Sequence, residues 1–167
     1  IGSGGVMLPH YSAYKVAENF AVLSNLYPGR VDLGVGRAPG ADMNAAIALA
    51  ADGRPKFERF PHLLRTLTEA LWNPDSRPRV GPVPAGRIPV WGLGTSPDSA
   101  LLAAELGLPY AVALFINPQF DPRIVAAYRS RFRPSPLQPE PRVMIAMNVF
   151  CAEDEEHAAT MTRAADI

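Results

Sequence analysis

Short apolar segments alternate with helical patterns along the whole chain, and this alternation limits the possible folds more than any other feature. Strands that alternate with helices form parallel βα units. The 167 residues therefore predict an α/β fold, either an open doubly wound sheet or part of a (β/α)8 barrel, because a whole barrel usually takes about 250 residues. The predicted strands are residues 1–7, 31–36, 88–93, 110–116 and 142–150, and the predicted helices are 12–26, 42–51, 55–72, 96–106, 121–132 and a last one from Asp154.

The charge and the cysteine content limit which classes of partner and which cellular compartment are expected. Sixteen basic and sixteen acidic side chains cancel, so neither a nucleic-acid partner nor a membrane surface is predicted. One cysteine, Cys151, excludes an internal disulfide framework, and it follows an apolar strand, so we expect it to be buried. No apolar run approaches the length of a membrane span. We therefore expect a cytoplasmic protein.

The segment 30–40 predicts an anion-binding loop at the end of a strand. Its apolar residues end at Gly34 and Gly36, and Arg37 follows them with a guanidinium that suits a phosphate. The glycine spacing resembles a dinucleotide fingerprint, but Gly40 comes one residue late and no acidic residue follows at the required distance. We therefore reject a Rossmann interpretation of this segment.

A second anion site is predicted at residues 92–99. Here a strand ends at Gly92 and Gly94, and a helix opens with Thr95, Ser96 and Ser99. The start of a helix offers free N–H groups and a favourable dipole to an anion, although Ser96 could simply cap the helix. Taken with Arg37, phosphate binding is the preferred interpretation.

A third glycine-rich segment opens the chain, at residues 2–10. Consecutive glycines such as Gly4 and Gly5 within a strand suggest that a flat ligand or an unusual backbone lies there. His10 lies just beyond the strand, where it could donate a proton to a ligand, or serve no chemical role. All three sites are predicted at the carboxyl ends of strands, where α/β folds bind ligands. His62 and His157 are expected at the surface, and no metal site is predicted.

These segments, in this order and together with Ala17-Glu18-Asn19 and Ile88-Pro89-Val90-Trp91, resemble the bacterial luciferase-like flavin monooxygenases. The resemblance implies a (β/α)8 barrel of the luciferase-like type. It also implies that residues 1–167 are one barrel domain that is incomplete at both ends and holds about strands three to seven.

The resemblance also implies roles for the site residues. Arg37 corresponds to the arginine that binds the flavin phosphate, and Gly94, Thr95, Ser96 and Ser99 correspond to the phosphate-binding loop. Gly4 and Gly5 correspond to a non-prolyl cis peptide bond that lies against the isoalloxazine ring. The acidic residue that some relatives carry in the phosphate loop is Thr95 here, and the cysteine that luciferase carries before the arginine is Gly36.

The activity implied is that of an oxidoreductase, a flavoprotein monooxygenase that uses reduced FMN and molecular oxygen on a small organic substrate. A separate flavin reductase would supply the reduced FMN. Two alternatives stay open, a non-catalytic flavin-binding protein of shortened barrel type and an oxidoreductase that uses F420. A homodimer through the apolar faces of residues 12–26 and 55–72 is implied as well, although the same faces could pack on the sheet.

Overall fold

The computed structural model describes residues 1–38, 42–50, 52–135 and 138–165. Its five strands form one parallel sheet in the order β1-β2-β3-β4-β5, so each strand pairs with the next one along the chain. A doubly wound sheet reverses its strand order at a switch point, whereas a barrel adds its strands in sequence. The structure therefore confirms the barrel arrangement that the resemblance implies, and not the doubly wound sheet that the alternation alone also allows. The strands are β1 (Val6–Met7), β2 (Leu33–Gly36), β3 (Val90–Gly94), β4 (Tyr110–Ala113) and β5 (Val143–Ala146).

In the described part of the chain, six α-helices connect and follow the strands, and two of them begin and end as the sequence predicts. Ser12 and Ser96 cap α1 and α4 by accepting hydrogen bonds from the backbone N–H groups three residues on. Gly107 closes α4 with a φ of +63°, a conformation that other residues rarely adopt. The helices are α1 (Ala13–Leu26), α2 (Met43–Leu49), α3 (Phe60–Trp72), α4 (Pro97–Glu105), α5 (Arg123–Arg131) and α6 (Glu155–Ala165). No helix in the described ranges has the length and apolar character to span a membrane.

The core lies between the sheet and α1, α3 and α4. Every residue of β2 and β4 is buried, as expected for strands covered on both faces. The apolar stripe predicted on α3 is buried at Phe60, Leu64 and Leu67, so this face packs in the core and is not available to a second copy. The helix itself starts later than predicted, because residues 57–59 form a 3₁₀ turn.

Helical spacing predicts a buried face of α1 at Val16, Phe20 and Leu23, and the structure confirms it only in part. Val16 is buried, whereas Phe20 is half-buried and Leu23 is exposed. Alanine residues carry much of the contact, including Ala17 and Ala21, which are completely buried. Small side chains let α1 approach α3 closely, and the larger apolar residues then lie at the margin of the contact.

The last strand is shorter than predicted, and Cys151 is exposed where burial was expected. β5 pairs with β4 only from Val143 to Ala146, because β4 itself ends at Ala113 and the chain turns away. Residues beyond Ala146 have no neighbouring strand backbone to bond, so they leave the sheet. The predicted turn at residues 39–40 and the last residue of the predicted helix 42–51 lie outside the described residues.

We expect the change Tyr128→Phe to lower the free energy of unfolding by about 1–2 kcal/mol. Tyr128 is completely buried on α5, and its hydroxyl donates to the carbonyls of Leu108 at 2.8 Å and Arg142 at 3.2 Å. Burial raises the pKa of Tyr128 to about 12, so it remains a donor at any ordinary pH. The phenylalanine would leave buried carbonyls without that donor.

Chemical denaturation of the full-length protein would measure the loss, with Tyr27→Phe as the matched control. Tyr27 is 52% exposed, and its hydroxyl forms no hydrogen bond with another described residue. Equal losses in the two variants would contradict a structural role for the Tyr128 hydroxyl.

Candidate active site

Three strand ends lie side by side at one edge of the sheet. Met7 pairs with Gly36, Gly36 pairs with Leu93, and Gly94 pairs with Val112. Arg37 and Thr95 follow these paired residues directly, so the two predicted anion-binding segments are neighbours in space. The register of the parallel strands brings them together, although they are far apart in the sequence.

The glycines at the start of the chain form a bulge below this edge, not a strand end as predicted. Gly2 pairs with Asp32, and Val6 pairs with Val35. Three residues lie between Gly2 and Val6 but only two lie between Asp32 and Val35, so the first segment carries one extra residue, as in a β-bulge. Ser3 bridges the gap, since its Oγ donates to the Gly34 carbonyl at 2.9 Å and accepts from the Gly34 N–H at 3.0 Å. The Ser3 side chain thus replaces a ladder hydrogen bond.

The expected cis peptide bond between Gly4 and Gly5 is absent. Within the described ranges, the cis bonds are Arg77–Pro78 and Gly81–Pro82, both of the common X–Pro type. Gly5 instead takes a φ of +155°, and this glycine conformation turns the chain into β1 with a trans bond. A Cβ on Gly4 would meet open space, and the residue is exposed, so the backbone there is accessible.

The junction between β3 and α4 is held by side-chain hydroxyls. Ser99 Oγ donates to the Ser96 carbonyl at 2.7 Å and lies 3.1 Å from the Tyr110 hydroxyl. Ser96 Oγ in turn accepts from the Ser99 N–H at 3.2 Å. A Cβ on Gly94 would lie only 2.4 Å from Ser99 Oγ, so the glycine is what lets α4 start this close to the strand.

Tyr110 supports the start of α4 through Ser99, and the sequence analysis missed this role. Its ring is completely buried and stacks on Tyr128 at 5.5 Å between centroids. Burial raises the pKa of Tyr110, and the hydrogen bond with Ser99 offsets part of that rise. The pattern of the sequence could not reveal this contact, because it depends on the parallel pairing of β3 with β4.

Arg37 and Ser99 line one cavity of about 220 Å³ between the start of α3 and the start of α4, which we call the Arg37 cavity. Arg37 is exposed and forms no ion pair with another described residue. It is the one cation among the described lining residues, and the exposed carboxylates of Glu58 and Asp98 line the cavity too. The other lining residues are Phe57, Phe60, Pro61 and Leu102.

His10 lies on a different cavity. It belongs to a 3₁₀ turn, Leu8–His10, directly after β1, and it is 5% exposed. Its ring meets the ring of Phe57 edge to face at 5.7 Å, and Phe57 lines the Arg37 cavity. The candidate histidine therefore stands next to the predicted phosphate site but is separated from it by an aromatic ring.

The other two histidines are exposed, as predicted. His62 lines the same cavity as His10, whereas His157 lies on α6 and pairs with Asp154 at 3.1 Å. Across the described part of the chain, no three His, Cys, Asp or Glu side chains are grouped so that they could hold a metal ion.

Comparison with known proteins shows to which family this chain is similar. The profile of the luciferase-like monooxygenases matches residues 1–166. A "Luciferase-like monooxygenase" of Escherichia coli (strain K12) is 42% identical over 160 residues, which cover 95% of this chain and 48% of that protein. The chain spans about half the length of the curated relatives it matches.

Solved structures share the fold. The crystal structure of apo-MsnO8 is 43% identical, with a TM-score of 0.83 over 95% of this chain and 48% of its own. The oxygenating constituent of 3,6-diketocamphane monooxygenase from Pseudomonas putida, solved in complex with FMN, is 18% identical, with a TM-score of 0.61. Its match covers 93% of this chain and 49% of that chain, and at this identity the likeness concerns the fold alone.

Proposed function

The chain belongs to the luciferase-like monooxygenase family, and from this premise we propose that it carries the phosphate side of the flavin site in an FMN-dependent monooxygenase. The substrate would be a small organic molecule, and molecular oxygen the oxidant. A separate reductase would deliver the reduced flavin in the cytoplasm. When bound and reduced, FMN would supply the electrons with which one atom of molecular oxygen enters the substrate.

The observation that carries the proposal is the meeting of Arg37 and Ser99 in one cavity. Arg37 brings a guanidinium that is unpaired among the described residues, and α4 brings the positive end of a nine-residue helix. The cavity, at about 220 Å³, is smaller than the roughly 300–1000 Å³ of a site for a whole drug-sized ligand. It suits the phosphate end of a cofactor whose ring lies elsewhere.

The residues present fit a flavin phosphate, although two lining carboxylates oppose its negative charge. Glu58 and Asp98 place two carboxylates at the Arg37 cavity, so its lining side chains carry a net charge of −1. Both carboxylates are exposed, and water and salt therefore screen them. A phosphate there depends on Arg37 for its charge-assisted contact, and this dependence makes Arg37 the decisive residue to test.

The other predicted residues would shape the site without necessarily touching the phosphate. Ser96 and Ser99 use their hydroxyls on each other, on the backbone and on Tyr110, and so they fix the start of α4. Thr95 follows Gly94 at the strand end, where its half-buried side chain borders the same junction. Gly4 offers the open surface on which a flat ring would lie, with Gly5 turning the chain beneath it.

His10 has a proposed role on the substrate side. It lies next to the carboxyl end of β1 and is separated from the Arg37 cavity by Phe57. From this position it could hold or move a proton on a substrate, but it would not reach the flavin phosphate. We therefore retain it as a candidate catalytic residue for the substrate and not for the cofactor.

Titration of the full-length protein with FMN, riboflavin and F420 would test the cofactor. We expect FMN to bind at least tenfold more tightly than riboflavin, because riboflavin lacks the phosphate that Arg37 would hold. Equal affinity for FMN and riboflavin would contradict the phosphate assignment, and a clear preference for F420 would support the deazaflavin alternative.

Incubation with reduced FMN and ¹⁸O₂ would test the reaction. The full-length protein would be given a panel of small thioethers, ketones and aldehydes, and mass spectrometry would detect one added ¹⁸O atom in a product. FMN binding without any labelled product would favour the alternative of a non-catalytic flavin-binding protein.

The outer surface of α1 bears on the proposed homodimer. Val22, Leu26 and Tyr27 are all exposed there, whereas the apolar face of α3 is buried in the core. If the protein forms a dimer through the helices named by the sequence, α1 is the one that can contribute apolar area.

A further inference from the structure

A second cavity, larger than the Arg37 cavity, lies on the other side of the start of α3. It encloses about 350 Å³, and its walls come from the turn and helix start after β1, the segment after α2, and α3. We call it the Arg54–Arg59 cavity. The residues used below are His10, Tyr11, Tyr14, Asp52, Arg54, Lys56 and Arg59, all of which line it.

The charge of this cavity is positive in a chain whose formal net charge is zero. Three cations, Arg54, Lys56 and Arg59, face one carboxylate, Asp52, which leaves a net charge of +2 with the histidines neutral. Such a local excess attracts anions and holds them at close range.

Asp52 is already occupied within the cavity wall. Its Oδ2 pairs with Lys56 Nζ at 3.0 Å, and its Oδ1 accepts from the Arg54 N–H at 3.2 Å. The hydrogen bond from Lys56 holds the pKa of Asp52 below its usual value, so the carboxylate stays charged and keeps its ion pair with Lys56. The guanidinium groups of Arg54 and Arg59 form no ion pair within the described part of the chain, and they are exposed.

The uncharged part of the wall is aromatic. Tyr11 is 41% exposed, and its ring lies edge to face with that of His10 at 6.3 Å between centroids. Tyr14 donates its hydroxyl to the Arg79 carbonyl at 2.9 Å, so its own contribution to the cavity is the ring. Aromatic walls beside guanidinium groups suit a ligand with a flat apolar body and one anionic end.

We propose that the Arg54–Arg59 cavity binds a small organic anion, a carboxylate carried on an aromatic or similarly flat body, at a site separate from the flavin phosphate. Arg54 and Arg59 hold the carboxylate, and Tyr11 and Tyr14 contact the body. The inference goes beyond the proposed function and does not depend on it, because no wall of this cavity uses Arg37 or Ser99.

The two cavities lie next to each other. His10 lines the Arg54–Arg59 cavity, and its ring contacts that of Phe57, which lines the Arg37 cavity. Ligands in the two cavities would therefore be separated by the rings of His10 and Phe57. An anionic substrate held here by its carboxylate would lie next to His10.

Benzoate is the probe for this site, and benzamide is its neutral counterpart of the same shape. In ¹⁵N–¹H correlation spectra of the full-length protein, benzoate is expected to shift the amides of Arg54, Arg59 and Tyr11 in a saturable way. Benzamide is expected to bind about tenfold more weakly, since it lacks the charge that the guanidinium groups recognise. Shifts confined to Arg37 and Ser99, or no saturation by benzoate, would overturn the proposal.

The double variant R54Q/R59Q is expected to weaken benzoate binding by about tenfold or more. Its matched control is R129Q/R131Q, which removes the same charge from the exposed end of α5. If both double variants lose affinity equally, the effect is general electrostatics and the proposal fails.

FMN titration of the same variants separates this proposal from the proposed function. R54Q/R59Q is expected to change FMN affinity less than twofold, while benzoate binding falls. If R54Q/R59Q instead weakens FMN tenfold and R37A leaves it unchanged, the flavin phosphate occupies the Arg54–Arg59 cavity and both assignments are wrong. If R37A weakens FMN and benzoate does not bind, only the present inference fails.

Discussion

Replacing Arg37 by alanine is expected to weaken FMN binding by about 10- to 100-fold, because a hydrogen bond to a charged group contributes roughly 1.5–3 kcal/mol. The expected loss lies at the upper end of this range. Arg37 is the one cation among the described residues of its cavity, and its removal leaves Glu58 and Asp98 facing the phosphate. Fluorescence titration of the full-length protein with FMN would measure the change.

Riboflavin provides the sharpest control for this result. Because it has no phosphate, the Arg37→Ala change should leave its affinity within about twofold, and FMN and riboflavin should then bind almost equally. Arg131→Ala, which removes an exposed arginine at the end of α5, should affect neither ligand. An equal loss of FMN and riboflavin affinity in Arg37→Ala would mean that Arg37 supports the fold and not the phosphate.

Replacing Gly94 by alanine is expected to lower the free energy of unfolding by about 2–3 kcal/mol, or the melting temperature by roughly 4–10 °C. The new Cβ would lie 2.4 Å from Ser99 Oγ and 2.7 Å from Ser99 Cβ. These atoms belong to the first turn of α4, so the helix start must move and the Ser99–Tyr110 hydrogen bond would break. FMN affinity should fall along with stability, since the same helix start borders the Arg37 cavity.

Gly36→Ala is the matched control, because Gly36 ends the neighbouring strand in the same way. A Cβ at Gly36 would have its nearest contact at 3.7 Å, from the Leu93 carbonyl oxygen, which is an ordinary van der Waals distance. Thermal unfolding of the two full-length variants should therefore differ by several degrees. Similar melting temperatures would show that the β3–α4 junction can relax around a methyl group.

The two cavities beside α3 show that local charge and fold geometry favour different places for an anion. The Arg54–Arg59 cavity is the more positive of the two, whereas the Arg37 cavity is the one at the ends of β2 and β3 and at the start of α4. Family membership and the geometry of α4 support the Arg37 cavity for the phosphate. The electrostatics of its neighbour support a second anionic ligand.

Much of the fold could be predicted from local pattern. The predicted helices 12–26 and 96–106 have their ends in the right places, because capping at Ser12 and Ser96 and the positive-φ turn at Gly107 are decided by one or two residues acting on their own backbone. Each predicted strand is present for a similar reason, although 1–7, 110–116 and 142–150 were predicted too long. The length of a strand depends on how far its neighbour extends beside it, which no local pattern records.

Arg37 and Ser99 were predicted to belong to one phosphate site, from the strand ends they follow and from the resemblance, but without its geometry. The Gly36–Leu93 and Gly94–Val112 pairs of the register bring their strand ends together. The bulge at Ser3, the role of Tyr110 and the exposure of Cys151 were not visible for the same reason. Each depends on an atom that is distant in sequence.

The sequence by itself determined a parallel α/β chain with glycine-rich strand ends, an arginine at one of them and the pattern of the luciferase-like family. Local hydrogen bonding and side-chain periodicity are sufficient for that much. Only the tertiary structure decided the register of the strands, the trans bond between Gly4 and Gly5, and the separation of His10 from the Arg37 cavity by Phe57. These features follow from strand register and side-chain packing, which depend on contacts between segments that are far apart in the chain.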